Sequence, residues 1–427
     1  MLSMFTRLLM TAALVTVGAG TAYATDAPGV NGDTSAKMTD TRGNVRYRAR
    51  PGYDAVGIHA GGFTVYPQAS VTGKYDDNIY ATDTDTKGDF ITELSSSVAV
   101  NSNWSRHALN FNAGIAKSFY NSHSGENRLD WNVGANGRLD VTRDTLINGA
   151  LSYQKLHEDR GDPNSPGSSS EPVPYKLFTA SADVDQRFNR MTAQLSGMLN
   201  DYNYDNVAST SGGLIDQDFR DRKEYTEGLK LGYDVSPDTN VYVKGSLNQR
   251  KYDQNPPVVA LNRDSKGYAA VVGSDFRLSN LAQGGIYAGY QKQTYDDPTL
   301  SDIDGLSYGA NVEWYVTPLT TVTFNADSTI NETVTAASGY LSQSVGARID
   351  HELLRNVLLN ARVGYQNDDY TGISRTDDIV NAGFGADYLL NRNFSVNVGY
   401  DYTKRDSSVL GSDYSRNIIG LTLTGKL

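Results

Sequence analysis

The sequence predicts an all-β fold, a transmembrane up-and-down antiparallel β-barrel of about 18 strands. Three observations support this prediction. From Thr64 to Leu427, apolar and polar residues alternate in runs of about 12–15 residues, well beyond the usual globular strand. The connections between these runs are alternately short and long. The polar face of each run carries full charges and glycine, which suits a wet lumen better than the dry core of a β-sandwich.

The first 24 residues predict a signal peptide. Arg7 supplies a basic start, residues 8–17 are apolar, and Ala22-Tyr23-Ala24 matches a small-x-small cleavage pattern. The apolar run is too short to span a bilayer, which argues against the alternative of a retained anchor. We therefore expect cleavage after Ala24 and export of the remaining chain.

Residues 25–63 predict an N-terminal extension in the periplasm. Their first part is polar and has no periodicity, which is typical of a disordered segment. Four arginines follow at Arg42, Arg46, Arg48 and Arg50. This segment is either a docking site for a partner or an anionic polymer, a plug folded into the lumen, or a simple tether.

Residues 64–427 predict the barrel itself, and the fourth run shows its pattern most clearly. Leu129, Trp131, Val133 and Leu139 fall on one face, and Asp130, Asn132, Arg138 and Asp140 fall on the other. Successive strand residues point to opposite faces, so each strand has an apolar side for lipid and a polar side for the lumen. In hydrocarbon an open sheet would leave one edge unpaired, so the sheet must close.

The connections give the strand count. Eight are short, and these are expected on the periplasmic side: 101–105, 141–144, 188–190, 236–239, 279–283, 317–320, 352–356 and 389–393. Nine longer, acidic loops separate them, which gives 18 strands with both termini on the periplasmic side; merging one hairpin would give 16.

Composition excludes several classes of function. The chain has no cysteine, which removes disulfides, thiol nucleophiles and cysteine-bound metals. A net charge of −11 argues against binding of nucleic acid. Four aspartates crowd the first long loop without the spacing of a calcium site, so we expect a solvated acidic loop and no metal or cofactor. Of five histidines, only His123 and His157 are near the outer rim, and no nucleophile accompanies them in sequence, so we expect no catalytic site.

The predicted lumen face carries charges that could tune permeation or could neutralise one another. These candidate lumen-lining residues are Asp130, Arg138, Asp140, Lys244, Arg250, Arg362 and Asp401.

Several short motifs resemble one protein family. They are Arg50-Pro51-Gly52-Tyr53-Asp54, Gly57-Ile58, Gly62-Phe63, the block Tyr75-Asp76-Asp77-Asn78-Ile79-Tyr80, Asp89-Phe90-Ile91 and Trp104-Ser105-Arg106-His107. In these the chain resembles the putative beta-barrel porin 2 family of proteobacterial outer-membrane proteins. The resemblance implies an outer-membrane barrel of a Gram-negative bacterium, in contact with membrane lipid, lipopolysaccharide and the outer-membrane assembly machinery. Some members are associated with export of exopolysaccharide or capsule, which would also imply a periplasmic polysaccharide export protein as a partner.

Three functions follow as hypotheses. The first is a conduit for exopolysaccharide or capsule export, the second a general diffusion porin for small solutes, and the third a structural barrel with a filled lumen. A porin should have a loop folded inward as a charged constriction, and residues 159–172 and 205–218 are the candidates for it.

Overall fold

The computed structural model describes residues 43–278 and 280–427. The predicted signal peptide and Arg42 lie outside these residues. Within them, no helix is both long enough and apolar enough to span a membrane.

Eighteen long strands build the fold. They are β1 (Phe63–Asp76), β2 (Asp89–Ser102), β3 (Ala108–Tyr120), β4 (Arg128–Asp140), β5 (Thr145–His157), β6 (Pro174–Phe188), β7 (Met191–Tyr204), β8 (Arg222–Ser236), β9 (Thr239–Tyr252), β10 (Ser265–Leu278), β11 (Ala282–Tyr295), β12 (Ile303–Thr317), β13 (Thr320–Asn331), β14 (Gly339–Leu354), β15 (Val357–Thr371), β16 (Thr376–Leu389), β17 (Phe394–Ser407) and β18 (Tyr414–Lys426). Three short strands, Ile58–Ala60, Val207–Ala208 and Leu214–Ile215, and two 3₁₀ turns, Ser124–Glu126 and Asp218–Arg220, complete the described elements.

The sheet closes on itself. Each long strand pairs antiparallel with the next one in the chain, and β18 pairs with β1 from Gln68 opposite Lys426 to Asp76 opposite Ile418. The predicted 18-strand closed barrel is therefore confirmed. Each of the eight predicted short connections overlaps a tight turn between two observed strands. Short turns face the periplasm in such barrels, so the long loops mark the outer end.

A short hairpin extends the closing ladder at the periplasmic end. β18 stops opposite Gln68, which would leave the first residues of β1 without a neighbour on that side. The short strand Ile58–Ala60 takes this place and pairs with Phe63–Val65. The N-terminal segment thereby continues directly from the wall of the barrel.

The two faces of the wall follow the sequence pattern. On β4 the side chains of Leu129, Val133 and Leu139 are exposed on the outside, where lipid covers them. Asp130 and Arg138 point inward and are partly buried. Apolar surface that would be costly in water is thus placed in hydrocarbon, and the charges are kept away from it.

Buried apolar clusters lie inside the barrel near its outer end. The three clusters are centred on Val173, Leu177, Tyr202, Tyr204 and Val207; on Tyr295, Leu300, Ile303 and Ile330; and on Ala337, Tyr340 and Tyr370. Each combines strand residues with loop residues, so the long loops pack into the outer mouth as well as extending from it.

Candidate functional site: the lumen and the segments that close it

The loop between β5 and β6, residues 158–173, crosses the outer end of the lumen. The Arg405 side chain on β17 donates a hydrogen bond to the Gly161 carbonyl oxygen at 2.7 Å. Farther along the loop, the Asn164 side chain accepts hydrogen bonds from the Thr333 hydroxyl at 3.0 Å and the Val334 backbone at 2.9 Å. Thr333 lies between β13 and β14, on the far side of the closed sheet from β5. The loop is therefore attached to several parts of the wall.

Three ion pairs fix the start of this loop. Arg416 on β18 lies 3.1 Å from Asp159, and Arg160 lies 2.6 Å from Glu126 in the loop between β3 and β4. Glu158 accepts hydrogen bonds from both terminal nitrogens of Arg220, one of them at 3.1 Å. The Glu158 and Arg220 side chains are both almost fully buried. Paired, hydrogen-bonded geometry of this kind is what makes buried charge tolerable.

Burial changes the acidity of the loop carboxyls. It raises the pKa of Glu158 to about 7, with nearby Asp162 adding to the shift and Arg220 opposing it. It also raises the pKa of Asp162 itself. Burial alone would raise the pKa of Asp159 too, but Arg416 and the Gly161 backbone N–H bring it below its ordinary value. The pKa values of neighbouring carboxyls in one loop are thus shifted in opposite directions.

The second candidate loop, residues 205–221, braces the first. The Ser170 backbone donates to the Ala208 carbonyl at 2.8 Å, and the Thr210 backbone donates to the Ser168 carbonyl at 2.9 Å. At the base of this loop, burial raises the pKa of Asp221 to about 6. The sequence proposed two inward loops as alternatives, and the structure joins them.

Arginines and tyrosines alternate along the inner wall at the level of these loops. Arg222 is directly opposite Tyr202 on one neighbouring strand and Tyr252 on the other, with its guanidinium 4.3 Å and 5.9 Å from the two ring centres. Arg220 over Tyr204 at 3.9 Å and Arg375 over Tyr370 at 4.6 Å repeat the arrangement. Stacking on aromatic faces orients these guanidinium groups along the wall. Each also pairs with a carboxylate: Arg220 with Glu158, Arg222 with Glu224 and Arg375 with Asp377.

At the periplasmic end, the N-terminal segment lies against the inner wall. The Asn44 side chain donates to Glu313 on β12 at 2.7 Å, and the Val45 backbone donates to the Thr321 hydroxyl on β13 at 3.0 Å. Val45 is fully buried. These partners are on adjacent strands, so this segment is held at one side of the lumen.

Arg50 forms the central ion pair of this contact. Its guanidinium lies 2.9 Å from Glu352 on β14, and both side chains are buried. The same Arg50 nitrogen donates to the Val45 carbonyl at 2.6 Å, which folds the segment back on itself. Glu352 also lies 3.7 Å from Arg48 and 3.3 Å from Arg355.

A cavity of about 410 Å³ opens beside the N-terminal segment. Val45 and Arg46 form part of its boundary, and hydroxyl and amide side chains of β1, β2, β15, β17 and β18 form much of the rest. The hydroxyls pair along the wall, as in Ser70 with Ser95 at 2.6 Å and Thr72 with Thr422 at 2.9 Å. The surface of the cavity offers hydrogen-bond donors and acceptors that suit a polar solute of little net charge.

Most of the predicted lumen charges have partners in the wall. Arg138 pairs with Asp140 at 2.9 Å, and Asp130 lies 2.7 Å from His157. Arg250 pairs with Glu332. Lys244, on the inner face of β9, is directly opposite Lys230 on β8.

Arg362 and Asp401 line the cavity and pair with each other across β16. Gly383 lies between them on that strand. A Cβ there would be 2.7 Å from the Asp401 oxygen and 3.0 Å from Arg362, so glycine leaves the space that this pair occupies.

The sequence prediction missed the residues that fix the loop. Glu158 and Asp159 follow β5 directly, and Arg220, Arg405 and Arg416 lie at or near strand ends facing the outer mouth. The sequence did contain a signal for these residues: two acidic residues directly after one strand, and arginines at the outer ends of other strands. It could not show which arginine meets which acid.

Two histidines near the outer end each contact one aspartate. Nδ1 of His123 lies 3.0 Å from Asp89, and Nδ1 of His157 lies 2.7 Å from Asp130. Across residues 43–278 and 280–427, no group of three or more histidines and carboxylates could hold a metal ion.

Solved structures with a similar fold include outer-membrane proteins of two bacteria. Pseudomonas aeruginosa OpdK with vanillate has 12% identity and a TM-score of 0.45, covering 85% of this chain and 99% of its own. Pseudomonas aeruginosa OccK3 (OpdO) has 12% identity and a TM-score of 0.44, covering 85% and 95%. Acinetobacter baumannii OccAB4 has 12% identity and a TM-score of 0.43, covering 85% and 98%. No curated protein matches the chain.

The family model described as Putative beta-barrel porin 2 matches residues 50–427. This match begins at the Arg50-Pro51-Gly52 motif and covers the whole barrel, so the resemblance seen in the sequence is confirmed. The outer membrane of a Gram-negative bacterium is the location that the fold and the family both give. The chain therefore belongs to the putative beta-barrel porin 2 family.

Proposed function

We propose that this barrel is a pore for small hydrophilic solutes, narrowed at its outer end by residues 158–173. The observation that supports this function is the course of that loop, which reaches Arg405 on one side and Thr333 on another. Barrels of 16–18 strands are wide enough for an aqueous channel, so their selectivity depends on what narrows them. An inward loop pinned by charged pairs performs that task.

The polar cavity supports the same function. A solute that has passed the loop meets serine, threonine and asparagine side chains, together with three arginines and four carboxylates whose charges nearly balance. Such a surface replaces the solute's hydrogen bonds to water without holding it by a strong charge. In this proposal the barrel acts in transport and carries out no catalysis.

The N-terminal segment is proposed to act as a partial plug at the periplasmic end. Residues 44–50 bind the wall formed by β12–β14, and the Pro51 carbonyl oxygen accepts a hydrogen bond at 2.9 Å from Arg392 in the turn between β16 and β17. A segment held on one side can leave room for a solute beside it. This assigns Arg46, Arg48 and Arg50 to the plug among the alternatives that the sequence left open.

Export of exopolysaccharide or capsule stays a prediction from the sequence. A polymer would need both the loop and the N-terminal segment to stay displaced for as long as it takes to pass. A small solute needs only the space beside them, and the contacts described above favour that smaller cargo.

Channel recordings of a loop variant test the proposal. In the variant, a short Gly-Ser linker replaces residues 160–170. The matched control shortens residues 83–86, an exposed stretch of the loop between β1 and β2. In planar bilayers we expect small, discrete channels from the intact protein, a several-fold larger conductance from the linker variant, and no change from the control.

Two experimental results, if obtained together, would contradict the proposal. One is an unchanged conductance, and an unchanged rate of liposome swelling with small sugars, in the linker variant. The other is loss of surface polysaccharide from cells that lack the gene. That combination would support the polymer conduit.

A further inference from the structure

Lysines form a row on the outside of the barrel at its outer end. On five strands of the wall between β5 and β11, an outward aromatic residue is followed by a lysine that lies two residues nearer the outer end. The pairs are Tyr153 and Lys155 on β5, Phe178 and Lys176 on β6, Tyr225 and Lys223 on β8, Tyr268 and Lys266 on β10, and Tyr290 and Lys292 on β11. Lys251 on β9 continues the row. At about 4.8 Å between neighbouring strands, the row extends over about 29 Å of the wall.

The register of the strands brings like charges together. Lys223 is directly opposite Lys251, and Lys155 is directly opposite Lys176. Directly opposed like charges destabilise a pair of strands unless an anion lies near them. The sheet alone therefore gives these lysines an unfavourable arrangement.

Acidic side chains compensate part of the row. Asp205 lies 3.5 Å from Lys155 and 2.8 Å from Lys176, and Asp302 lies 2.9 Å from Lys292. Lys223 has Asp253 at 3.3 Å and Asp201 at 3.8 Å.

The centre of the row is different. Lys251 and Lys266 are exposed, and neither forms an ion pair with another residue of the part that the structure describes. Gln249 lies between them, directly opposite Lys266 on one side and Tyr225 on the other. Three cations and one amide thus surround a single point on adjacent strands, with only the carboxylates at Lys223 to balance them.

The aromatic residues define the depth of this point in the membrane. Tyrosines on the outside of a barrel prefer the boundary between hydrocarbon and headgroups. A lysine two residues farther out, about 6.8 Å along the strand, lies at headgroup level. Because the long loops mark the outer end, these headgroups belong to the outer leaflet.

We propose that Lys223, Lys251 and Lys266, with Gln249, form a binding site for the phosphate groups of lipopolysaccharide. Lysine ammonium groups bind phosphate as point charges, and the amide adds a hydrogen-bond donor. Tyr225 and Tyr268, below the lysines, would contact the first part of the acyl chains. One bound lipid would also add negative charge beside the opposed Lys223 and Lys251, which Asp253 and Asp201 balance only in part.

The opposite wall lacks a cluster of this kind, because its outward Lys404, two residues beyond Tyr402 on β17, pairs with Asp406. On β15, the outward residue that lies two residues beyond Tyr365, toward the outer end, is Asn367. The Tyr365 hydroxyl donates to Asp378 on β16 at 2.6 Å. That face presents an amide and a carboxylate where the lysine face presents cations. The site is therefore confined to one side of the barrel.

Native mass spectrometry of the purified full-length barrel tests the site. The probe is defined lipid A, with dephosphorylated lipid A and phosphatidylglycerol as comparison lipids. The variants are Lys251→Gln, Lys266→Gln and the triple variant with Lys223→Gln. The matched control is Lys404→Gln, an outward lysine on β17 that already pairs with Asp406 at 2.8 Å.

We expect tight retention of phosphorylated lipid A by the intact protein and by the control. Retention should be at least tenfold weaker in the triple variant and for the dephosphorylated lipid. A variant with arginine in place of lysine at the three positions should retain phosphorylated lipid A as the intact protein does. Heat-modifiable migration on gels verifies that each variant is folded, and the single variants give a readout if the triple variant fails to fold.

Three outcomes would overturn the site: equal retention in intact protein and triple variant, equal binding of phosphatidylglycerol, or binding abolished by a chelator. The last would assign the contact to divalent cations at the neighbouring aspartates. None of these outcomes depends on channel conductance, so the site and the proposed pore function are tested separately.

Discussion

The two ends of the lumen are narrowed by segments of opposite charge that are attached in different ways. At the periplasmic end, Arg48 and Arg50 of the N-terminal segment meet Glu352 on β14, while Asn44 and the Val45 backbone bind β12 and β13. At the outer end, carboxyls of residues 158–173 meet arginines at several points around the circumference. A segment attached on one side can swing away when one cluster of contacts breaks. A loop attached on several sides cannot, because several pairs must break together.

Breaking the central pair at the outer end should have the largest effect. Arg220→Ala removes the partner of Glu158 in a place where both side chains are buried. Loss of one partner of such a pair costs about 3–5 kcal/mol, so the closed loop should open far more often. Limited proteolysis within residues 158–173 measures this opening. Arg143→Ala, an exposed arginine in a short turn, is the control and should leave cleavage unchanged.

The comparison of the two ends assumes that the wall has the inward and outward faces described above. Val133→Arg puts a charge on the lipid face of β4 and should destabilise the barrel by about 2–4 kcal/mol. Asn132→Arg, on the lumen face of the same strand, should have little effect. Urea unfolding in lipid vesicles measures both, and equal losses would contradict the assigned faces.

The pair at the periplasmic end should be weaker. Arg50→Ala leaves Glu352 with Arg48 and Arg355 nearby, so the carboxylate keeps some compensation. We expect a loss of about 1–3 kcal/mol in docking of the segment, the usual cost of a buried acceptor that loses a donor. Channel openings should lengthen while the barrel stays heat-modifiable. A loss of folded barrel would show that the segment is needed for the wall.

The smallest expected effect is the pH dependence of loop closure. Its sign is opposite to the one expected if protonation of Glu158 only weakened an ion pair. The pKa of Glu158 is about 7 in the closed loop because burial disfavours its charge, against an ordinary value of 4.5. The closed form therefore binds the proton more tightly. Its stability is gained as the pH falls from about 7 towards 4.5 and is lost as the pH rises through about 7.

Asp221, with its pKa raised to about 6, acts in the same direction. Asp159 acts in the opposite direction, but only below its ordinary value of 3.8. Channels should therefore open less often at pH 5 than at pH 8. Glu158→Gln should flatten this dependence, and Glu171→Gln, at an exposed position of the same loop, should preserve it. More frequent opening at pH 5 would show that loss of the ion pair outweighs relief of the buried charge.

The wall was predictable from the sequence because its causes are local. Alternation in each run determines which side chains face lipid, as Leu129 and Val133 show against Asp130 and Asn132. The alternation of short and long connections gave 18 strands and the orientation of the barrel. The motifs from Arg50 onward gave the family. Hydrogen-bond closure then leaves one architecture, since an open edge is too costly in hydrocarbon.

Only the tertiary structure decided what fills the lumen. Asp159 and Arg416 are 257 residues apart in the chain, and no local pattern specifies that they meet. The arginines of the N-terminal segment had three readings, and the position of Glu352 beside Arg50 favours one of them. The row of lysines likewise depends on strand register, which sets Lys223 opposite Lys251. Strand faces follow from a period of two, whereas loop contacts and cross-strand neighbours depend on which distant segments the closed sheet brings together.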